Sequence, residues 1–158
     1  MEGAIADILK IATALEERFE VEVERSLRQN TLWNRVLLGI HGVGPKIGSK
    51  IAAAGPRARF KNRDHFVAMS GAHVKEGRAA HRETGKLLLR DPLLWDAILQ
   101  FMRRLHMNKS VWGEMYLRKK TEYLAREGWS KLRIDRAARR FTGTHLLRYI
   151  WREWKNIE

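Results

Sequence analysis

Cysteine is absent from the 158-residue chain, as is any long run of apolar residues. The lack of cysteine excludes disulfide bonds and thiolate metal sites, and it is typical of an intracellular protein. No segment approaches the roughly 20 apolar residues of a membrane span, and the N-terminal residues lack the basic flank and apolar core of a signal peptide. We therefore expect a cytoplasmic protein that does not contact a membrane.

The sequence also lacks histidine and carboxylate residues at the spacings typical of metal sites. The six histidines are scattered, with no His-x-x-x-His pair and no glutamate beside them in a ligand pattern. Asp91, Asp96 and Glu114 are too few and too far apart in the sequence to predict a two-metal nuclease site. We expect no metal ion, no cofactor and no catalytic residue.

Basic residues outnumber acidic ones, with 31 Lys and Arg against 18 Asp and Glu, a formal net charge of +13. Such a balance is typical of proteins that neutralise nucleic-acid phosphates. Attachment to a membrane surface is the weaker alternative, because the cations are spread over many segments instead of one amphipathic helix. The length allows one domain, or one domain with a helical extension.

Residues 37–52 predict two short helices joined by a glycine hairpin, with Pro45 in the first turn of the second helix. The apolar residues at helical spacing on either side are Leu37, Ile40, Ile47 and Ile51. Glycine at 42 and 44 permits positive φ and leaves no Cβ to block an approaching sugar-phosphate chain. We expect Gly42, Val43 and Gly44 to offer backbone N–H groups to an anion at the helix N-terminus.

This arrangement resembles the helix-hairpin-helix motif, whose members bind DNA backbones without reading the sequence. Lys46 and Lys50 stand where such motifs often carry phosphate-contacting cations, and we expect Gly48 to let the two helices approach closely. A plain helix–helix turn is the alternative. A Walker-type phosphate loop and a dinucleotide fingerprint are disfavoured, because the required Gly-Lys-Ser/Thr and the preceding strand are both missing.

Further cations extend the predicted DNA track beyond the hairpin. One group follows the second hairpin helix, a second lies in a predicted flexible loop at residues 75–90, and a third lies on a basic helix at residues 131–140. In chain order these candidate DNA-binding residues are Arg57, Arg59, Lys61, Lys75, Arg78, Arg82, Lys131, Arg133 and Arg136. Each group has an ordinary alternative as a solvated surface.

Helical periodicity continues along most of the chain, so we predict an all-α fold with a C-terminal helical bundle. We divide it into an N-terminal amphipathic helix at residues 1–30 and a helical domain at residues 31–158. The N-terminal helix is acidic, and its apolar face predicts either ordinary packing or a contact with a second copy or a nuclease partner.

Capping residues place the later helices. Asp91 and Pro92 begin one helix, Ser110 begins a second that runs to residue 126, and Ser130 begins a third at residues 131–140. Thr142 or Thr144 is predicted to open a last, separate helix that runs to residue 154. Tryptophans at helical spacing in these segments are expected in the core rather than stacked on bases.

The order of segments is similar to the C-terminal transposase region of the 110/116/902 group of insertion-sequence transposases. The resemblance covers about residues 32–155. It is carried by residues 37–54, by the segment 59–71, where the hairpin is followed by phenylalanine and by a helix end at Met69-Ser70-Gly71, and by the closing helices at residues 116–128 and 137–151. It implies a DNA-engaging region and a link to transposition.

The sequence differs from the family pattern at two points that bear on catalysis. The family's RuvC-like nuclease domain, with four metal-binding acidic residues, has no counterpart here, and residues 76–82 contain no serine where the family has its nucleophile. Ser70 and Thr84 are the nearest hydroxyls. We therefore expect a nucleoid-associated, sequence-tolerant DNA-binding protein. The alternatives are an active serine recombinase or nuclease subunit and a dimeric RNA-binding module.

Overall fold

The computed structural model describes residues 2–75, 78–79 and 90–158. Within these residues seven α-helices confirm the predicted all-α fold. They are α1 Glu2–Leu27, α2 Thr31–Arg35, α3 Pro45–Ala53, α4 Arg63–Met69, α5 Pro92–Arg104, α6 Val111–Leu124 and α7 Lys131–Ile157. Single 3₁₀ turns lie at Leu37–Gly39, Arg57–Arg59 and Leu105–Met107.

Two-residue strands occupy part of the loop predicted at residues 75–90. Strand β1, Val74–Lys75, pairs antiparallel with β2, Arg78–Ala79, and Val74 lies opposite Ala79. The predicted flexibility of the remaining loop concerns residues 76–77 and 80–89, which lie outside the described residues.

The core is built around α5, which packs against α3 on one side and α7 on another. Its fully buried face consists of Leu94, Ala97, Ile98 and Phe101, and α7 contributes Leu146, Leu147 and Ile150 to the same cluster. Phe66 of α4 closes this cluster against Trp151 and Trp154 of α7. Helix α6 lies along α7, and α1 contacts α3.

The prediction of two separate helices after Ser130 is wrong, because α7 continues unbroken from Lys131 to Ile157. Thr142 donates its hydroxyl to the Ala138 carbonyl at 3.1 Å, and Thr144 donates to the Ala72 carbonyl at 3.2 Å. Neither hydroxyl accepts a bond from a helix N–H as a cap must. Gly143 lies directly against Met102 of α5, so tertiary packing holds this part of the helix in place.

The first half of the predicted hairpin motif also differs from a regular helix. Helix α2 ends at Arg35, Val36 has φ −128° and ψ −60°, and the chain continues as the 3₁₀ turn Leu37–Gly39. A 3₁₀ turn still buries Leu37 and Ile40, since residues three apart lie on the same side of such a turn. The apolar spacing therefore predicted burial correctly and the helix type wrongly.

Most predicted caps are present. Asp91 Oδ1 accepts the Leu94 N–H at 2.9 Å, and Ser130 Oγ accepts the Arg133 N–H at 3.2 Å. Ser110 caps α6 through the Trp112 N–H. Helix α6 ends at Leu124, two residues before the predicted end, and Gly128 then adopts φ +72° in the turn.

Helix α1 extends away from this core for most of its length. Every residue from Gly3 to Glu22 is exposed, and so are the apolar residues of its amphipathic face, among them Ile8 at 65% and Phe19 at 75%. No helix in the described part of the chain is long and apolar enough to cross a membrane.

Close packing at Gly48 generates a first prediction. A Cβ on Gly48 would overlap the six-membered ring of Trp33, which is buried and cannot swing into solvent. We expect Gly48→Ala to lower the free energy of unfolding by about 2 kcal/mol, because overpacking outweighs the higher helix propensity of alanine. Urea denaturation measures the change. The control Gly39→Ala, whose Cβ meets no atom within 4 Å, should stay within about 0.5 kcal/mol.

A polar network centred on Asp135 joins α5, α6 and α7. Asp135 accepts hydrogen bonds from Arg139 at 2.7 Å, from Lys120 at 3.3 Å and from the buried hydroxyl of Tyr116. Arg139 also donates to the Met102 and Arg103 carbonyls at the end of α5. Burial opposes ionisation of Asp135, but the hydrogen bonds from Arg139, Tyr116 and Lys120 outweigh it and lower its pKa to about 2.

The second prediction follows from this lowered pKa. A carboxylate with a folded-state pKa below its unfolded value stabilises the fold above about pH 4, and this contribution is lost as the pH falls towards 2. We expect Asp135→Asn to destabilise the protein by about 1 to 2 kcal/mol at pH 7. Urea titrations between pH 7 and pH 2.5 should show the difference from the unmodified chain shrinking below about pH 4. A pH-independent difference would contradict this assignment.

Candidate phosphate-binding site

The glycine hairpin is formed by residues 41–44, between the 3₁₀ turn and α3. The Val43 N–H donates to the Ile40 carbonyl at 2.9 Å, and Gly42 adopts φ +95°, where an L side chain is strained. The Gly44 carbonyl accepts from Ile47 at 3.0 Å and from Gly48 at 2.9 Å, so Gly44 is the N-cap of α3. Pro45 occupies the first turn of α3 as predicted.

The two glycines have different roles. Gly44 has φ −81° and ψ 179°, so the expectation of positive φ is wrong at this position, although a Cβ there would meet no atom within 4 Å. A Cβ on Gly42 would instead come within 2.6 Å of Asn108 Nδ2 and 3.3 Å of the Phe101 ring. Gly42 is therefore needed for the fold of the hairpin, and Gly44 leaves an open approach to it.

Asn108 holds the hairpin against the end of α5. Its Nδ2 donates to the His41 carbonyl at 3.0 Å, and its Oδ1 lies 3.0 Å from His41 Nδ1, which donates in the tautomer protonated at that nitrogen. Asn108 Oδ1 also accepts the Ser110 hydroxyl at 2.5 Å. These bonds fix the orientation of the exposed hairpin tip relative to the core.

Backbone donors are available at the hairpin. Among the described residues no acceptor is found for the N–H groups of Gly42, Gly44 and Lys46. Val43 differs from expectation, because its N–H is bonded to Ile40 and its side chain is 5% exposed within the core. The unsatisfied donors lie at the N-terminal end of α3, where the helix dipole favours negative charge.

Lys46 is engaged by two carboxylates of α1. Its Nζ lies 2.7 Å from Glu16 Oε1 and 2.9 Å from Glu20 Oε1, and all three side chains are at least half exposed. Hydrogen bonds to Glu16 and Glu20 raise the pKa of Lys46 above its usual range, and Lys46 in turn lowers the pKa of Glu16. The carboxylates of α1 thus neutralise the charge of Lys46 beside the hairpin.

A groove of about 660 Å³ separates this part of α1 from α3 and α5. Leu15, Phe19 and Val23 of α1 face Pro45 and Ile47 of α3 across it. Val23 packs against the core at one end of this groove, and the ion pairs of Lys46 are a further contact between α1 and α3. Ion pairs this exposed are screened by salt and easily exchanged for another anion.

Three other basic residues that were predicted to contact DNA form ion pairs within the fold. Lys50 pairs with Asp96, and it lowers the pKa of that carboxyl by hydrogen bonding. Arg59 donates to the Ala54 carbonyl and pairs at 2.7 Å with Asp91, whose side chain is 6% exposed. Arg57 pairs with Glu158 at 2.5 Å and lies over the Trp151 ring.

The remaining predicted cations are not gathered at the hairpin. The exposed residues that have no carboxylate partner in the described part of the chain are Lys61, Lys131, Arg133 and Arg136. The last three lie on the first two turns of α7. Lys75 and Arg78 are placed by their strand backbones, and Arg82 lies outside the described residues.

Sequence reasoning missed Lys109. It is exposed and directly follows Asn108, which is bonded to His41, so its backbone lies beside the hairpin tip. Asn108 and His41 are 67 residues apart in the chain, and no local pattern connects them. The excess of basic residues in the C-terminal half indicated a nucleic-acid contact there, but it did not distinguish Lys109 from the other cations.

Of the two hydroxyls nearest the family's nucleophile position, only that of Ser70 lies within the described residues. Ser70 is fully buried, donates to the Val67 carbonyl at 2.7 Å and accepts the Ala72 N–H at 3.2 Å, so it stabilises the end of α4. Thr84 lies outside the described residues. In the ranges that the structure describes, no group of three or more His, Asp or Glu residues could hold a metal ion.

Comparisons with protein-family models, with curated proteins and with solved structures find no match to this chain.

The ion pairs of Lys46 generate a third prediction. If Lys46 contacts phosphate, Glu16→Gln combined with Glu20→Gln should tighten binding to duplex DNA by about three- to tenfold, because two competing anions are removed. The control Asp7→Asn with Glu17→Gln changes the net charge equally on the same helix without touching Lys46. We expect less than a twofold change for the control in fluorescence anisotropy titrations. Equal gains for both variants would assign the effect to net charge alone.

Proposed function

We propose that the protein binds the sugar-phosphate backbone of DNA through the hairpin at residues 41–44, without strong sequence preference. The observation that carries the proposal is the set of unbonded N–H groups of Gly42, Gly44 and Lys46 beside an unobstructed glycine. Backbone donors at a helix N-terminus suit a phosphate, and they carry no information about bases.

The distribution of charge supports a polyanionic ligand. Helix α1 contains seven acidic and three basic residues, which give it a net charge of −4. Since the whole chain has a net charge of +13, the residues outside α1 carry a net charge of +17. A field of this sign attracts nucleic acid and accelerates association. It also accounts for the contact of the acidic α1 with Lys46.

Binding then proceeds as an exchange of anions. A phosphate accepts hydrogen bonds from the hairpin N–H groups and replaces Glu16 and Glu20 at Lys46. Lys109, next to the hairpin through Asn108, supplies a second cation. Lys50, Arg57 and Arg59 keep their carboxylate partners and position α3 and the segment after it.

The proposal extends to a role like that of the DNA-engaging region of an insertion-sequence transposase, with the protein located on the nucleoid. Its support is the order of the hairpin, the buried phenylalanines Phe60 and Phe66, and the helix end at Gly71, which adopts φ +71°. A nuclease partner or a second copy would bind through the exposed apolar face of α1.

Salt dependence is the fourth prediction and the direct test of phosphate contact. The logarithm of the binding constant for duplex DNA should fall linearly with the logarithm of salt concentration, with a slope of about −3 or steeper. Duplexes of unrelated sequence should give affinities within about threefold of one another. A slope near zero, or a strong preference for one sequence, would contradict backbone binding.

The fifth prediction concerns Gly44. Gly44→Val should fold normally, because a side chain there meets no atom within 4 Å and the backbone is extended. The added side chain stands in the approach to the hairpin N–H groups, so duplex affinity should fall at least tenfold, or about 1.4 kcal/mol. Anisotropy titrations and circular dichroism measure binding and folding.

Gly39→Val is the matched control, since its Cβ also meets no atom and it lies before the hairpin. We expect the control to bind duplex DNA within about twofold of the unmodified protein. Unchanged affinity of a folded Gly44→Val variant would show that the hairpin is only a turn.

A further inference from the structure

The turn between α6 and α7 carries a stack of aromatic and guanidinium groups that the hairpin does not use. The rings of Tyr123 and Trp129 lie 5.5 Å apart at 46°. Arg126 Cζ lies 4.6 Å from the Tyr123 ring centre and 4.7 Å from that of Trp129, and Arg133 Cζ lies 4.3 Å from Trp129. We call these four residues the stacked turn.

The stacked turn presents its two cations to solvent, and its rings, Tyr123 and Trp129, are half-buried. Arg126 and Arg133 are exposed, and neither has a carboxylate partner in the part of the chain that the structure describes. The nearby carboxylate of Glu122 is paired with Lys119 at 2.5 Å. Leu124 and Leu132, on either side, are 59% and 57% exposed. The surface thus combines planar cations with apolar area.

This combination fits unpaired nucleobases better than phosphate alone. A phosphate requires only charge, which flexible lysines supply, whereas here the central carbon of each guanidinium already lies within 5 Å of an aromatic ring centre. Bases of single strands stack on aromatic rings and on arginine planes, and the N–H edges of a stacked arginine remain free for phosphate. We propose that the stacked turn binds unpaired bases of single-stranded nucleic acid.

The stacked turn is a separate site from the hairpin. Helix α6 begins next to Asn108, which holds the hairpin, and its 14 residues place its other end about 20 Å away. Single-strand binding here does not require duplex binding at residues 41–44, so the two proposals succeed or fail independently.

The test compares strands that differ only in their bases. Fluorescence anisotropy measures binding of a labelled DNA oligonucleotide of about 12 nucleotides and of an abasic strand with the same phosphates. We expect the full-length protein to bind the strand with bases at least tenfold more tightly. Equal binding of both strands would overturn the proposal. An RNA oligonucleotide of the same sequence, run in parallel, decides whether DNA or RNA is the preferred source of the bases.

Substitutions then separate stacking from charge. Arg126→Lys combined with Arg133→Lys keeps the charge and removes the planar groups. The affinities for the strand with bases and for the abasic strand should then differ by less than about twofold. Trp129→Phe keeps a ring and should retain most of the preference, whereas Trp129→Leu should lose it. Retention of the full preference by the double lysine variant would contradict stacking.

Two controls complete the experiment. Arg118→Ala removes an exposed cation of α6 and should weaken both strands equally, preserving the preference. Gly39→Val should leave the preference unchanged, because residue 39 lies outside both the hairpin and the stacked turn and its Cβ meets no atom within 4 Å. Thermal melts of each variant show whether the turn needs the stack for stability. Loss of preference only in variants that also unfold, with the folded Trp129→Leu protein retaining it, would limit the stack to a structural role.

Discussion

Burial of α5 between α3 and α7 is the constraint on which the remaining structure depends. On the α7 side, Gly143 allows a contact so close that a Cβ would come within 2.8 Å of Met102 Sδ. On the other side, the Phe101 ring lies beneath Gly42 of the hairpin. The same helix therefore holds the bundle together and determines where the hairpin lies, so the candidate site is attached to the most buried part of the molecule.

The ion pairs divide the cations of this basic protein into two groups. Lys50, Arg59 and Arg139 are held by carboxylates or helix-end carbonyls, and each joins elements that are distant in the chain. Lys46 is paired too, but at a solvent-exposed position where another anion can replace the two carboxylates. Charge counted along the sequence therefore overstates how many cations near the hairpin are available to a ligand.

Local chemistry predicted much of the fold. Asp91, Ser110 and Ser130 cap helices because their side-chain oxygens satisfy N–H groups within three residues, and this requires no knowledge of the tertiary structure. Thr142 and Thr144 have the same chemistry but do not cap, because packing of Gly143 against α5 keeps the helix continuous. Capping residues indicate where a helix can begin, and tertiary contacts decide whether it does.

The sequence by itself determined the all-α fold and the glycine hairpin with Pro45 opening α3, since each depends on residues near one another in the chain. The close approach at Gly48 is made to Trp33 of α2 and not to the predicted first helix of the hairpin. Only the tertiary structure decided which donors and cations are available. The N–H of Val43 is bonded within the hairpin, Lys46 is paired with carboxylates of α1, and Asn108 brings Lys109 to the hairpin tip. The physical reason is that hydrogen bonds and ion pairs form between groups close in space, and contacts across 30 or 67 residues leave no periodic signal in the sequence.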